Sequence, residues 1–326
     1  MCSRISPPGK ISSSTTLTEL GNNKIVLVTG ASGFVGRHLV KYLAEREYTV
    51  IAGSRSFFGF KHPNITNIQL PDLTSRFDWR SLLYQCDTVV HLAGLAHSFA
   101  SDDLYNLVNV QAVASLAQAA KECGTKQLVY VSSIAAQSGS YADVNLTEAD
   151  PPRPTNAYGR SKLAAEDIVR AADVPFTILR PVVMYGFKEK GNFALMRKCA
   201  RLPVPLPFGS LKAPRSVLSI SNFSSAVDFV LRDVRSIGET FIVSDPRAVS
   251  VAEMIAAYRV ALGKRPNLIQ VPEKWIETTF KLLGQEGMWQ RMGCPLLASP
   301  HKLLQRGWTP EQNSFSVQRD KEKQVD

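Results

Sequence analysis

Residues 24–54 constrain the fold more than any other stretch. KIVLVT (24–29) is a compact apolar run rich in β-branched residues; GASGFVG follows, then the amphipathic RHLVKYLAERE, then YTVIAGS. That pattern predicts strand, glycine turn, helix, strand. Gly30, Gly33 and Gly36 stand in T-G-x-x-G-x-x-G order. Glycines so spaced allow a tight turn and a close backbone approach to a pyrophosphate. The helix start, at Phe34 and Val35, adds free N–H groups and partial positive charge. A glycine pattern alone is weak, but between a strand and a helix it has the context expected of a dinucleotide-binding loop.

The alternation continues. DTVVHLAG (87–94) reads as a buried strand, NLVNVQAVASLAQAAKECG (106–124) as a long helix stopped by Gly124, and QLVYVSS as a strand ending in two serines. YGRSKLAAEDIVRAA reads as a helix and VPFTILRP as another strand. Short apolar strands alternating with helices predict an α/β fold, a doubly wound parallel sheet covered on both faces. After Pro181 the pattern changes to proline-rich and irregular. We therefore expect a tail (1–22), a Rossmann-type dinucleotide-binding domain (23–181), a small irregular substrate lobe (182–318) from which some segments return to the sheet, and a charged tail (319–326). Trp275 and Phe280, in EKWIETTFKLLG, are expected to face the core of that lobe, with a peripheral membrane contact as the alternative.

Bulk properties narrow the function. The chain has 326 residues, 44% hydrophobic and 20% charged, and no apolar run approaches the roughly 20 residues of a membrane helix. The formal net charge of +10 is spread along the chain without a Lys/Arg block. It suits a solvated basic surface or a field that favours anionic ligands such as nucleotides; no motif supports nucleic-acid binding. Five scattered cysteines have neither metal nor redox spacing, which fits a reducing cytoplasm. His38, His62 and His301 have no partner at metal spacing, and no metal site is expected. His91, on a strand, reads as structural, while His97 and Ser98 either line a pocket or simply continue the loop.

The end of the second strand bears on which dinucleotide binds. NAD sites usually carry an acid there for the ribose 2′-OH. Here Ser54 and Arg55 occupy the place, and Arg37 follows the glycine loop. Arg55 suits a 2′-phosphate, so NADP is favoured, with NAD as the alternative if Arg55 is solvated or stacks on adenine. Asp72, followed by Leu73, is placed to contact the adenine amine or to start a turn.

NAYGRSKLAAE (156–166) carries the candidate chemistry. Tyr158 and Lys162 are one helical turn apart on one face. An ammonium there lowers a phenol's pKa, and Ser133, at the end of YVSS, can donate a hydrogen bond to a substrate oxygen. A lone Y-x-x-x-K is as readily a solvated helix face; in order with the glycine loop and the serine strand it is a strong signal.

Together, TGASGFVG, HLAG (91–94), NV (109–110), YVSS, YGRSK and LRPVVMYG (179–186) resemble the extended short-chain dehydrogenase/reductase family over roughly residues 24–310. The resemblance implies that Ser133, Tyr158 and Lys162 are catalytic, with Ser132 the less favoured serine. It also implies that Leu92, Ala93 and Gly94 wall the cofactor site, that Asn109 supports the centre, and that Arg180 and Pro181 line the nicotinamide side. KGNFALMRKCARLPVPLPFG and PRSVLSISN are similar to the nucleotide-sugar branch, which implies that Asn192 and Arg215 contact a UDP-linked sugar. One departure is IAAQSG after the serines, where many members have VYG; it bears on the shape of the sugar pocket.

Within that branch the sequence is similar to enzymes of bacterial surface-polysaccharide and O-antigen synthesis. The first reading is an NAD(P)H-dependent reductase of a UDP-linked 4-keto-6-deoxy-N-acetylhexosamine, giving UDP-N-acetylquinovosamine or its C4 epimer. The second is a UDP-sugar 4-epimerase that keeps NAD bound. A 4,6-dehydratase is disfavoured because Ile134 and Ala135, not an Asp-Glu pair, follow Ser133. A non-catalytic dinucleotide-binding module is disfavoured by the intact Ser133, Tyr158 and Lys162. By analogy with the family, the chain is expected to form a homodimer through helices 104–123 and 157–172.

Overall fold

β1 (Ile25–Thr29) sends Val26 and Val28 to one face and Leu27 to the other, all three fully buried. That is the two-sided burial of a strand inside a parallel sheet. In the computed structural model, which describes residues 24–56, 58–96, 100–186, 191–312 and 315–317, the rest of the chain is built around this strand. The readings for residues 1–22, His97, Ser98 and 319–326 lie outside the described residues, as does the side chain of Asn192.

β1 turns into α1 (Phe34–Ala44), whose Leu39, Val40 and Leu43 join the layer of Val26 and Val28. β2 (Thr49–Ser54) and β3 (Ile65–Gln69) extend the sheet to one side. After α2 (Arg80–Leu83) the chain crosses to β4 (Thr88–His91), on the other side of β1. α3 (Asp102–Tyr105) and α4 (Ala112–Glu122) flank a wider π-helical segment, Asn106–Gln111. The helix expected over 106–124 thus starts earlier and changes pitch within; Gly124 ends it at φ 65°. β5 (Gln127–Val131), β6 (Asn145–Leu146), α5 (Ala157–Ala171), β7 (Phe176–Pro181) and β8 (Val183–Tyr185) follow. The remaining elements are α6 (Gly191–Arg201), β9 (Val217–Ser219), α7 (Ile220–Arg232), β10 (Glu239–Val243) and α8 (Val251–Ala261), then α9 (Glu273–Leu282), α10 (Glu286–Gly293), β11 (Leu297–Ala298) and α11 (His301–Gln305).

Seven parallel strands form one sheet in the order β10-β7-β5-β4-β1-β2-β3. This is a Rossmann-type doubly wound sheet. The order reverses between β1 and β4, so a crevice opens beyond the carboxyl ends of those two strands. Phe223 and Val227 of α7 lie in the same apolar layer as α1, while Leu116 of α4 and Val169 of α5 join Leu27 and Leu128 on the opposite face. Beyond Pro181 the chain does not stay in one lobe: α7 covers the sheet and β10 pairs with β7 at its edge. The lobe itself gathers around Tyr185, Phe193, Met254, Tyr258 and Trp289.

One core assignment needs correction. Phe280 packs against that lobe, but Trp275 is 70% exposed. α9 buries the side that carries Ile276 and Phe280, and Trp275 falls on the opposite side of the helix.

His91 is structural. It is fully buried, with Nδ1 2.9 Å from Thr29 Oγ1, and burial, aided by the nearby Lys162 charge, holds its pKa down to about 3. The unfolded chain takes up this proton near pH 6.5, the folded chain only near pH 3. The contribution is present above pH 6.5 and is lost as pH falls towards 3. Across that window the unfolding free energy of a His91→Gln variant, from urea titration, should fall less steeply than wild type, by up to about 1.4 kcal/mol per pH unit for one proton. Parallel curves would remove His91 from the acid response.

Candidate active site

The glycine turn is built for close contact. Gly30 has φ 72°, and a Cβ there would lie 2.9 Å from Ala93 N, so the turn touches the end of β4. A Cβ on Gly36 would lie 2.3 Å from Gly30 O. α1 starts at Phe34 with no side-chain cap and no acid in its first turn. Its first-turn N–H groups are therefore free to face an anion. A diphosphate fits this cradle, with Leu92, Ala93 and Gly94 as the opposite wall.

Asn109 fixes that wall. Its amide accepts from Leu95 N at 2.8 Å, donates to Leu95 O at 3.1 Å and to Ser161 Oγ at 3.0 Å. It thereby joins the loop after β4 to α5. A Cβ on Gly94 would lie 2.8 Å from Asn109 Oδ1 and 3.8 Å from Lys162 Nζ, so the wall, the asparagine and the lysine meet at one point.

α5 brings in the tyrosine. Asn156 caps it by accepting from Gly159 N at 2.8 Å. Gly159 is required by proximity: a Cβ there would lie 2.1 Å from Ala135 O in the turn after the serines. This approach lets the Tyr158 phenol and the Ser133 hydroxyl hydrogen-bond. Ser133 Oγ also accepts from Ala135 N at 3.1 Å. Lys162 is buried, donates to Val131 O at 2.9 Å and lies 4.9 Å from the Tyr130 ring.

The electrostatics depart from expectation. Burial pushes the Tyr158 phenol up to about 12; the Ser133 hydrogen bond opposes this, and Tyr105 adds to it. The expected lowering by Lys162 does not appear. Burial also brings Lys162 down to about 8, against the pull of Glu166.

Two residues assigned from sequence are engaged elsewhere. Arg180 is buried and grips Glu166 with both ends of its guanidinium, Nε at 2.9 Å from Oε1 and Nη2 at 2.6 Å from Oε2. Its Nη1 donates to Gln137 Oε1 at 2.9 Å. The Arg180 side chain thus supports the site from below, beside Pro181 at the end of β7. Ser132 joins the same network, donating to Glu166 Oε1 at 2.6 Å, which leaves Ser133 as the serine beside Tyr158. Arg215 is also buried, and its guanidinium donates to the carbonyls of Ser140 (3.0 Å), Gln290 (3.2 Å) and Cys294. Burial lowers its pKa to about 10.

At the cofactor edge, Ser54 is buried and donates to Ser56 O at 2.7 Å. Arg55 and Asp72 pair with each other at 2.9 Å. Hydrogen bonds from Thr74 and Arg55 hold Asp72 down at about 2. Leu73 packs on the core beneath. Arg37 donates to Ser32 O at 2.7 Å and lies 4.2 Å over the Phe58 ring, which keeps a cation at the glycine loop.

A model of the NAD dependent epimerase/dehydratase family matches residues 26–244, the span that holds this cradle and the Ser133–Tyr158–Lys162 group. The chain belongs to that family. It is 29% identical over 301 residues to a UDP-glucose 4-epimerase of Vibrio cholerae, covering 89% of this chain and 92% of the relative. A ceramide reductase of Caulobacter vibrioides is 28% identical over 295 residues, 88% of this chain and 86% of the relative. Among solved structures, MoeE5 in complex with UDP-glucose and NAD superposes with a TM-score of 0.69 at 25% identity, covering 88% of this chain and 93% of that one.

Glu166 escaped the sequence reading, although an acid one turn after Lys162 on the same helix was the available signal. Glu166→Ala would leave Arg180 buried without its partner. It should lower stability by about 3–5 kcal/mol, read from the denaturant midpoint; a loss below about 1 kcal/mol, no more than an exposed ion pair is worth, would show that the network is not buried in solution.

Proposed function

We propose that the protein is a C4 oxidoreductase of UDP-linked hexoses, reducing the C4 ketone of a UDP-4-keto-6-deoxy-N-acetylhexosamine with NADPH. The observation that carries the reductase reading is the end of β2, where Ser54 and Arg55 stand in place of an acid and Arg37 adds a second cation beside the glycine loop. This favours a 2′-phosphate and, with it, a reductant that exchanges between turnovers. When bound, the reduced nicotinamide supplies hydride to C4. Tyr158 donates its proton to the C4 oxygen, so the ketone becomes an alcohol. The Ser133 hydroxyl hydrogen-bonds the same oxygen as charge builds on it. Lys162, at the foot of the crevice, orients the ribose side of the cofactor. Asn192, at the start of α6, is proposed to contact the sugar nucleotide, with Arg215 bracing the seam between Ser140 and α10. The reading places the enzyme in the cytoplasm, in surface-polysaccharide synthesis, with α4 and α5 as homodimer surfaces.

A second reading, a UDP-sugar 4-epimerase with NAD kept bound, is supported by the Vibrio cholerae relative and by the UDP-glucose and NAD held by MoeE5. There Tyr158 would first take the proton and then return it.

The test mixes the protein with UDP-2-acetamido-2,6-dideoxy-4-keto-hexose and NADPH, with NADH in parallel, and follows reduced-nicotinamide absorbance. Stoichiometric oxidation is expected. Tyr158→Phe should cost roughly 10²–10⁴-fold in turnover while dinucleotide affinity stays. No oxidation by folded, cofactor-binding protein, with UDP-glucose or UDP-N-acetylglucosamine converted to its C4 epimer, would establish the second reading instead. Ser54→Asp with Arg55→Ala should shift preference from NADPH to NADH by roughly ten- to a hundredfold, the worth of a charge-assisted hydrogen bond; an unchanged ratio would move 2′-phosphate recognition to Arg37.

A further inference from the structure

The outer surface of the lobe has a composition of its own. From Gly191 to Val227, and again from Met254 to Pro272, the sequence contains no Asp or Glu, while Lys198, Arg201, Lys212, Lys264 and Arg265 fall there. The fold stitches these two segments together. Arg259 donates to Leu202 O at 3.2 Å and Val204 O at 3.0 Å; Leu206 N donates to Asn267 O at 3.2 Å, and Ile269 N to Leu206 O at 2.8 Å. Lys264 donates to Arg201 O. The result gathers exposed Leu202, Val204, Val260 and Ile269 among cations.

The chain then runs from Ile269 into α9 within a few residues. α9 anchors itself through Ile276 and turns Trp275 and Leu282, two helical turns apart, outward at 70% and 83% exposure. Lys274 and Lys281 flank that stripe. Glu277 pairs with Lys281 at 2.8 Å, and Glu273 and Glu286 are exposed at the two ends of the hairpin.

We infer that this face docks reversibly on an anionic phospholipid bilayer. Two apolar surfaces, joined through Val271 and Pro272, the first bordered by cations and the second by Lys274 and Lys281 as well as Glu273 and Glu277, suit an occupant that is greasy inside and negative at its surface. Lipid tails take Trp275 and Leu282, and headgroup phosphates take the Lys and Arg termini while their stems cover apolar surface. A second copy of the same surface fits poorly, because a two-fold contact would set its cations against themselves. The inference rests on surface composition and is independent of the reaction proposed above.

The test uses full-length protein and unilamellar vesicles of phosphatidylglycerol and phosphatidylcholine, with pure phosphatidylcholine in parallel. Of the four tryptophans, Trp79, Trp289 and Trp308 are buried, so Trp275 dominates any change in accessibility. The protein should float with anionic vesicles at low salt and release at high salt. Its fluorescence should shift to the blue and be quenched by brominated lipid. Lys264→Glu with Arg265→Glu should lower partitioning at least roughly 25-fold, about fivefold for each cation lost. Trp275→Ser with Leu282→Ser should abolish the quenching, while both variants keep wild-type dinucleotide affinity. Protein that stays unbound at low salt, or variants that float like wild type, would overturn the inference. So would protein that ignores vesicles and whose dimer, seen by sedimentation, falls apart in both variants; the face would then belong to a second copy.

Discussion

The bidentate ion pair between Glu166 and Arg180 is the constraint on which the candidate centre depends. It joins α5 to β7 inside the molecule, and through Ser132 and Gln137 it also holds the end of β5 and the turn after it. Gln137 carries the connection outward, donating to Thr147 O and Asp150 O in the loop before α5. Every element that presents Ser133, Tyr158 or Lys162 is therefore tied to one carboxylate. Burial works against that charge, yet Arg180, Ser132 and Arg170 outweigh it and keep the Glu166 carboxyl below its ordinary pKa. Such a pair often adds little net stability over an apolar replacement. What it contributes here is direction: a guanidinium fork accepts one carboxylate geometry, and that sets the angle at which α5 meets the serine turn.

The same packing explains the phenol. Gly159 lets α5 approach the turn so closely that Tyr158 loses water, and the lost hydration raises its pKa more than Ser133 lowers it. A tyrosine held protonated is suited to giving a proton to a forming alkoxide. Removing a proton from a sugar hydroxyl demands the opposite, and needs positive charge brought to the crevice before the phenol can act as a base. Lys162, itself lowered by burial, is only part of that charge.

The glycine turn before α1 and the one-turn spacing of Tyr158 and Lys162 on α5 are legible in the sequence because each is a local device. A turn, a helix start and an i, i+4 pair need only neighbours, and alternating buried strands reveal the parallel sheet for the same reason. What was not legible depends on distant partners. Arg180 reads as a site residue until Glu166 is seen beneath it, and Arg215 as a ligand residue until three carbonyls surround it. Trp275 reads as core because a helix with two apolar sides looks the same on paper whichever side is buried. The π-helical pitch at Asn106–Gln111 has no composition signal either; it shows only in the way Asn109 reaches both Leu95 and Ser161.

The cofactor edge shows how far such pairing alters a residue-by-residue reading. Arg55 reads as a phosphate ligand and Asp72 as an adenine contact, yet each is the other's partner, on exposed segments. The pair is solvent-screened and worth little by itself, so a ligand can divide it. Asp72 stays ionised whatever Arg55 does, because Thr74 donates to it from both backbone and side chain. A 2′-phosphate at this edge would therefore meet a fixed negative charge along with the guanidinium. Among the described residues, Arg37, held over Phe58 on the glycine-loop side, has no such carboxylate as a hydrogen-bond or ring partner. If the chain selects a phosphorylated ribose, Arg55 must first leave Asp72, whereas Arg37 breaks no ion pair seen among the described residues.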